Sequence, residues 1–394
     1  MRKGYLWAIL FMGCIFLFGA CAFREDKVSQ AGADGQIQAD GMDESESEPE
    51  TGSESETTGG TESESAAEEI PVPVVQTVTV TAAGDCTLGA AQTHGYAGSF
   101  HEYYDVNGED YFFGGVRDIF ESDDFTLVNL ECVLSDSNAR VDKEWNLKGK
   151  PEYVGIMTGS SVEGCSLGNN HSQDYGLQSL EDTKKALDDA GLIYGYNEHV
   201  DTYVTESGIV IGVVSASLLP RTQERANYIR DGIALLREQG AELVIASCHW
   251  GVEQAHDPDD YQRKMAHQVV DWGADLVIGT HPHVLQGVEL YNGKVICYSL
   301  GNFCFGGNRN PADKDTAIYR QTFTFVDGVL SPDINADIIP CRISSITSRN
   351  DFRPTVAEGE VKAAILDNMN RYSADYSDIY FDDDGILMLK TEKE

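Results

Sequence analysis

Short apolar runs alternate with amphipathic stretches along most of the chain, a pattern typical of an α/β domain. The runs have the composition of buried strands. The predicted strands cover residues 74–83, 125–130, 165–167, 209–214, 243–247, 276–278, 295–300 and 321–325, with a last strand from residue 340. The predicted helices cover residues 114–122, 177–190, 229–238, 259–272 and 360–369, and residues 138–151 are expected to form a surface excursion.

Polar side chains follow many of these apolar runs. They are Asp85, Glu131, Asn170 with His171, His249, His281 with His283, and Asn302. Because ligands of open α/β sheets bind at the carboxyl ends of strands, we expect these side chains to share one crevice. In extended backbone, positions two apart face the same side, so His281 and His283 on either side of Pro282 are expected to converge.

Carboxylate oxygen, amide oxygen and imidazole nitrogen form a mixed ligand set, which suits Mn, Fe or Zn better than Ca²⁺ or Cu(I). A carboxylate can also bridge two cations, so the pattern predicts one or two divalent metal ions and hydrolytic chemistry. Each residue alone also has a structural explanation, for example capping a turn. The combination of all of them favours the metal site.

Four further residues are candidates for supporting the ligands or contacting substrate: Trp250, Glu253, Gln286 and Asn302. Trp250 is equally compatible with packing, and Gln286 and Asn302 with turns. The cysteines do not predict a disulfide framework, because seven remain outside the N-terminal segment at irregular spacing. Cys86, Cys132 and Cys248 each adjoin a candidate ligand and are expected to point to the opposite face, into the core.

The N-terminal sequence predicts that the protein is exported from the cytoplasm. Met1-Arg2-Lys3 precedes an apolar run over residues 5–18 and then Gly19-Ala20-Cys21. This run is shorter than the ~20 residues of a spanning helix and is typical of a secretory signal. The segment also resembles bacterial lipoprotein signals, which implies lipidation of Cys21 and anchoring at the outer face of the cell membrane. Secretion after cleavage nearby and an uncleaved anchor stay open as alternatives.

Composition divides the chain further. Residues 22–73 are rich in Glu, Ser and Gly and are expected to form a disordered acidic tether. The predicted globular domain covers residues 74–340, and residues 341–394 form a partly helical acidic extension. The net charge of −37 argues against nucleic acid as a partner, since phosphate backbones require clustered Lys and Arg.

Six sequence blocks occur in order between residues 77 and 308: GDCTLG, NLE, GNNHSQDYG, HWGVE, GTHPHVLQGVE and SLGNF. They resemble the CapA-type poly-gamma-glutamate capsule synthesis proteins, whose domain is similar to the calcineurin-like metallophosphatases. The resemblance implies an αββα sandwich of two mixed β-sheets flanked by helices.

The resemblance also implies residue roles. One ion would be held by Asp85, Glu131 and His283, and the other by Glu131, Asn170, His249 and His281. His171 would protonate the leaving group, with Asp174 orienting it. Two positions depart from the phosphatase pattern: Thr87 stands where an imidazole is usual, and Ala90 follows Gly89 in place of an arginine.

Three functions stay open on this basis. The first is a cell-surface metal-dependent hydrolase or transferase that acts on an anionic polymer or a phosphoester during capsule or envelope polymer assembly. The second is a non-catalytic metal-binding subunit that tethers or exports the polymer beside membrane-bound synthases, where metal ions would supply the positive charge that this acidic chain lacks. The third is an α/β fold with incidental histidines.

Overall fold

The computed structural model of the protein describes residues 72–390. The predicted signal, Cys21 and nearly all of the predicted tether lie outside the described residues. No helix in the described part of the chain is both long and apolar enough to cross a lipid bilayer.

Strands dominate the described chain. They are β1 (Val75–Thr87), β2 (Ala90–Ala91), β3 (Phe125–Leu130), β4 (Val133–Leu134), β5 (Leu147–Gly149), β6 (Gly164–Ser166), β7 (Ile193–Gly195), β8 (Asp201–Val204), β9 (Val210–Ser217), β10 (Leu243–His249), β11 (Leu276–Thr280), β12 (Val288–Tyr291), β13 (Lys294–Cys297), β14 (Asn302–Phe305), β15 (Asp315–Val326), β16 (Val329–Leu330), β17 (Asn335–Arg342), β18 (Thr355–Val356), β19 (Ile379–Phe381) and β20 (Leu387–Leu389). The α-helices are α1 (Phe100–Asn107), α2 (Arg117–Phe120), α3 (Gly155–Thr158), α4 (Gly176–Ala190), α5 (Gln223–Glu238), α6 (Asp260–Asp271) and α7 (Gly359–Ser373).

Two large mixed sheets organise these strands. The first has the order β18-β17-β15-β1-β3-β6-β7, with β14 beside β1 and β16 beside β15. Its strand β1 runs parallel to β3 and β14 but antiparallel to β15. The second has the order β12-β13-β11-β10-β9-β8, in which the inner strands are parallel and the edge strands β8 and β12 are antiparallel.

The two sheets pack face to face and carry helices on their outer faces. Val80 of β1 and Ile245 of β10 belong to one buried cluster between the sheets. Leu187 of α4 packs over the outer face of the first sheet, and Ile229 of α5 and Val269 of α6 pack over the outer face of the second. The predicted αββα sandwich of two mixed sheets is therefore confirmed.

The C-terminal segment adds to the same core. The domain boundary predicted at residue 340 falls within β17, and Ile365 and Met369 of α7 are buried in the cluster between the sheets. The seven cysteines of the described residues are buried and free, as the irregular spacing predicted.

Several predicted elements need correction. The strand predicted over 321–325 begins at Asp315, and the last strand, predicted from residue 340, begins at Asn335. The strand predicted over residues 295–300 ends at Cys297, and Asn302 instead begins β14 in the other sheet. The helix predicted over 114–122 is only four residues long. Helix α5 begins at Gln223 rather than residue 229, because the Thr222 hydroxyl caps it by accepting a hydrogen bond from the Arg225 amide at 3.4 Å. Because the first turn of α5 is polar, the pattern of apolar residues did not mark where this helix begins.

A pair of acidic side chains lies where β3 and β6 begin. The Glu163 carboxylate accepts a hydrogen bond from the Thr126 amide at 2.7 Å, and the Asp123 carboxylate accepts one from the Thr126 hydroxyl at 2.7 Å. Burial, reinforced by the charge of Asp123, raises the pKa of Glu163 to about 7, and burial raises the pKa of Asp123 to about 6. The folded protein therefore holds a proton at Glu163 more tightly than the unfolded chain does.

Glu163→Gln should stabilise the protein more at pH 8 than at pH 5. The raised carboxyl pKa favours the folded state in full only below the unfolded value of 4.5, and this contribution is lost as pH rises through about 7. Glutamine keeps the acceptor for Thr126 without the charge. Thermal melts should show a gain of roughly 2 °C at pH 8 and a smaller one at pH 5. The exposed Glu121→Gln serves as control, and equal shifts in both variants would contradict the explanation.

Candidate metal centre

A buried carboxylate lies at the centre of the site. Glu131 follows β3, is fully buried, and has its Oε1 atom 3.5 Å from His249 Nε2 and 3.8 Å from His283 Nε2. Glu131, His281 and His283 offer ligand atoms that all lie within 4.8 Å of one another. The first sheet thus supplies a carboxylate and the second sheet the imidazoles, and the site spans the edge where both sheets end.

The spacing of these atoms suits a divalent cation. Two donors about 2.1 Å from one ion lie about 3.0–3.4 Å apart at angles between octahedral and tetrahedral and about 4.2 Å apart on opposite sides of the ion, so small movements of these side chains would close around a cation. Both oxygens of Glu131 and the Oδ2 atom of Asp85 are buried without a hydrogen-bond donor of suitable geometry among residues 72–390. Burying carboxylates without a partner is strongly unfavourable, so these residues fit a bound cation.

The backbone of β1 aims Asp85 at this centre. The pairing of β1 with β3 is irregular between Ala82 and Asp85, and such a bulge redirects side chains. Asn129 Nδ2 donates to Asp85 Oδ1 at 2.8 Å, which leaves Oδ2 3.0 Å from His283 Nδ1. Gly84 allows β1 to approach β14, since a Cβ there would lie 2.0 Å from the Gly301 carbonyl oxygen.

His281 and His283 converge by a different route from the one predicted. The prediction of extended backbone was wrong, because φ is 96° at His281 and 59° at His283. Such φ values are uncommon outside glycine and are costly unless the surroundings fix them. The Gln254 amide donates to the Pro282 carbonyl at 2.8 Å, and Asn302 Nδ2 donates to the His283 carbonyl at 3.0 Å. This strained turn follows β11 and brings the ring centroids to 5.8 Å.

Neighbouring side chains orient the imidazoles. His283 Nδ1 lies 3.0 Å from Asn302 Oδ1, and His249 Nδ1 lies 2.9 Å from Thr280 Oγ1. If each Nδ1 carries a hydrogen and donates it to the neighbouring oxygen, each Nε2 keeps a lone pair that points toward Glu131. This is the usual arrangement of metal-binding histidines. Asn302 therefore supports His283, although it does so from the start of a strand.

Asparagines complete the other side of the centre. Asn170 Oδ1 lies 3.0 Å from His249 Nε2. Asn169 Nδ2 donates to the Leu130 carbonyl at 2.9 Å and to Asn129 Oδ1 at 3.1 Å, which ties the Asn170 loop to β3. Sequence reasoning missed Asn129 and Asn169. Asn129 could have been found from the sequence, because its polar side-chain amide interrupts the apolar run of β3.

The pKa shifts show an excess of negative charge. Burial and the nearby Asp85 charge raise the pKa of Glu131 well above its usual value. Burial, together with the neighbouring imidazoles, lowers the pKa of His249 well below its usual value and that of His281 to about 4. At His283 burial opposes protonation, but Glu131 and Asp85 raise the pKa to about 10. His249 and His281 are therefore neutral at pH 7, which is the form that binds metal, whereas His283 holds a proton that a bound cation would displace.

His171 lies beside the centre with two charged partners. Its Nδ1 atom is 2.7 Å from Asp174 Oδ2 and 3.2 Å from Lys143 Nζ. Lys143 Nζ also lies 2.5 Å from Asp174 Oδ1. Burial lowers the pKa of His171 despite the hydrogen bond to Asp174. Lys143 was missed by sequence reasoning, because it lies in the segment interpreted as a surface excursion and comes close to His171 only in the folded chain.

A cleft of about 400 Å³ opens onto the centre and is lined by His171, Glu253 and His283, with Trp145 on its outer wall. Trp250 does not line it: the indole is fully buried beneath the outer helices and donates to the Tyr298 carbonyl at 3.0 Å. Packing is therefore its role. Gln286 is also buried away from the cleft, where it donates to the Ala255 carbonyl at 2.8 Å and so holds the loop that carries Glu253.

Known proteins share this sequence pattern. The PGA biosynthesis protein CapA of Bacillus subtilis is 33% identical over 218 residues, which cover 50% of this chain and 57% of that protein. The capsule biosynthesis protein CapA of Bacillus anthracis is 29% identical over 255 residues, which cover 58% of this chain and 60% of that protein. The chain thus matches somewhat more than half the length of each relative.

A solved structure and a family model also match. The crystal structure of a hypothetical protein from Thermus thermophilus aligns with 66% of this chain and 99% of its own, at a TM-score of 0.42 and 16% identity. The family model described as "Bacterial capsule synthesis protein PGA_cap" matches residues 79–307, which is more than half of the chain and includes every residue of the candidate centre. The chain therefore belongs to the PGA_cap family of bacterial capsule synthesis proteins.

Proposed function

We propose that the protein takes part in poly-gamma-glutamate synthesis, as a hydrolase or transferase that depends on divalent metal ions. The observation that carries the proposal is the buried pair Glu131 and Asp85. Both oxygens of Glu131 and the Oδ2 atom of Asp85 lack a donor of suitable geometry among residues 72–390, while imidazole nitrogens face them. The names of the two Bacillus relatives support the polymer, since both refer to PGA or capsule biosynthesis.

The geometry supports two overlapping ligand groups around Glu131. Asp85 and His283 would form one group with this carboxylate, and His249, Asn170 and His281 would form the other, while His281 and His283 also lie close enough to share one ion with Glu131. The donor set suits Mn, Fe or Zn, in one or two positions. Thr87 weakens the first group, because its hydroxyl donates to the Glu131 carbonyl at 3.2 Å and offers no nitrogen ligand.

The chain's own residues would position substrate and move a proton. Bound cations supply charge stabilisation for the electron-rich oxygens of the reacting group. His171 faces the cleft, and Asp174 fixes its Nδ1 atom, so Nε2 can exchange a proton with the leaving group. Lys143 offsets the buried charge of Asp174 and also donates to the Asn170 carbonyl at 2.9 Å, which couples the dyad to the ligand loop.

The proposed location is the outer face of the cell membrane, with lipidated Cys21 as the anchor and residues 22–73 as the tether. This location would place the cleft beside membrane-bound subunits that synthesise or export the polymer. Growing chains would then reach the centre as they leave the cell. The basic, apolar and small-residue pattern of residues 1–21 supports this proposal.

The purified protein should contain Mn, Fe or Zn at near-stoichiometric level and cleave a generic phosphodiester. His249→Ala combined with His281→Ala should remove most of the metal, whereas His171→Ala should keep the metal and lower turnover about 10²–10⁴-fold. Elemental analysis and steady-state rates measure the two effects, with the exposed His199→Ala as control. Full metal content without turnover in the wild type would instead support a non-catalytic polymer-binding subunit.

Lys143→Met should destabilise the protein by about 1–3 kcal/mol, because it leaves the carboxylate of Asp174 buried without its cation. Urea unfolding measures this, and adding Asp174→Asn to Lys143→Met should recover part of the loss. Lys185→Met removes the exposed ion pair to Asp189 and should change little. If both lysine variants unfold at the wild-type urea concentration, Lys143 does not hold Asp174.

A further inference from the structure

A second cavity shares Asn170 with the candidate metal centre. Its volume is about 350 Å³, and polar side chains dominate its walls, among them Asn170, Gln173, Tyr196 and Arg225. Asn170 belongs to both sites, because its Oδ1 atom faces His249. We call this cavity the Arg225 pocket.

The strand register fixes how near Arg225 lies to the centre. Ser217 of β9 pairs with His249 of β10, and neighbouring strands lie about 4.8 Å apart. Arg225, in the first turn of α5, donates from Nη1 to the Ser217 carbonyl at 2.9 Å. The guanidinium is therefore anchored one strand away from a candidate metal ligand.

Unlike the other arginines in and beside α5, Arg225 has no carboxylate partner among the described residues. Arg221 pairs with Asp259, Arg230 with Asp231, and Arg237 with Asp275. Within residues 72–390, Arg225 forms no ion pair with an acidic side chain. Its hydrogen bond to the Ser217 carbonyl uses only the Nη1 atom. The guanidinium keeps donors and a full charge available to the pocket.

Side chains beside Arg225 add further hydrogen-bond donors to the pocket. The Tyr196 hydroxyl accepts a hydrogen bond from Gln173 Nε2 at 2.7 Å, so its own hydrogen is available to a ligand. Lys184 Nζ lies 5.1 Å from the centroid of the Tyr196 ring but pairs with Glu181 Oε1 at 3.0 Å, so the unpaired positive charge of the pocket comes from Arg225. The pocket therefore presents convergent hydrogen-bond donors and positive charge in a protein whose net charge is −37.

The main cleft provides no such charge. No lysine or arginine is among the described residues that line it, and Glu253 adds a carboxylate. Apart from bound metal ions, an anionic substrate in the cleft would meet no lysine or arginine side chain of its lining.

We propose that the Arg225 pocket binds an oxyanion of the substrate, a carboxylate or a phosphate, while the adjacent bond of the same molecule lies at the metal centre. This proposal rests on the proposed function, because it assigns the substrate of that centre a negative group about one residue from the reacting bond. Arg225 is a specificity-determining residue in this arrangement, and Asn170 separates the held group from the reacting one.

The test compares Arg225→Met with Arg230→Met, which removes the same charge from the same helix outside the pocket. Calorimetric titration uses two probes, a short γ-glutamyl oligomer and inorganic phosphate. Losing a charge-assisted hydrogen bond should weaken binding about tenfold to a hundredfold in Arg225→Met and leave Arg230→Met near the wild type. Arg225→Lys should recover part of the affinity.

The two probes distinguish the source of the oxyanion. A loss for the oligomer alone identifies a carboxylate, and a loss for phosphate alone identifies a phosphoester. Equal binding in wild type and Arg225→Met for both probes overturns the proposal, as does an equal loss in Arg225→Met and Arg230→Met. Thermal melts confirm that each variant is folded.

Metal content and phosphodiester turnover of the same samples separate this proposal from the proposed function. Absent metal and turnover, with Arg225-dependent binding, would overturn the metal-dependent enzyme but keep the oxyanion site. Metal and turnover present, with binding independent of Arg225, would keep the enzyme and remove the oxyanion site.

Discussion

The buried carboxylate of Glu131 imposes the constraint on which the rest of the site depends. It is inaccessible to water, it lies beside Asp85, and neither of its oxygens has a hydrogen-bond donor among the described residues. An isolated buried charge of this kind is too unfavourable to persist without compensation. His249 and His283 approach it from the second sheet, so a proton or a cation held between the sheets would compensate the charge.

The two-sheet architecture makes this meeting possible. Strands β1 and β3 of the first sheet and β10 and β11 of the second end at the same edge, and the apolar cluster between the sheets fixes their separation. Several departures from regular backbone geometry lie at the site. They are the bulge before Asp85, the close approach at Gly84, and the left-handed backbone of His281 and His283. Strained backbone at ligand residues is expected where function requires a particular geometry.

Positive charge is scarce in the protein, and two basic side chains lie at defined points near the centre. Lys143 lies against Asp174 and His171, while Arg225 is anchored to the carbonyl of the residue paired with His249. The first neutralises a buried carboxylate, and the second keeps its charge available to a polar pocket. Both come from segments that are distant from the ligand motifs in sequence, so neither belongs to the blocks that carry the family resemblance.

The sequence by itself determined the fold class and most candidate ligands, because strand burial produces apolar runs and parallel strands place the residues after them at one edge. Asp85, Glu131 and His249 were predictable for this reason. The tertiary structure alone decided that His281 and His283 meet through positive φ, that Asn302 begins a strand of the other sheet, that Trp250 packs inside, and that Lys143 and Arg225 reach the site. Such contacts join residues far apart in the chain, and local pattern carries no information about pairs brought together only by packing.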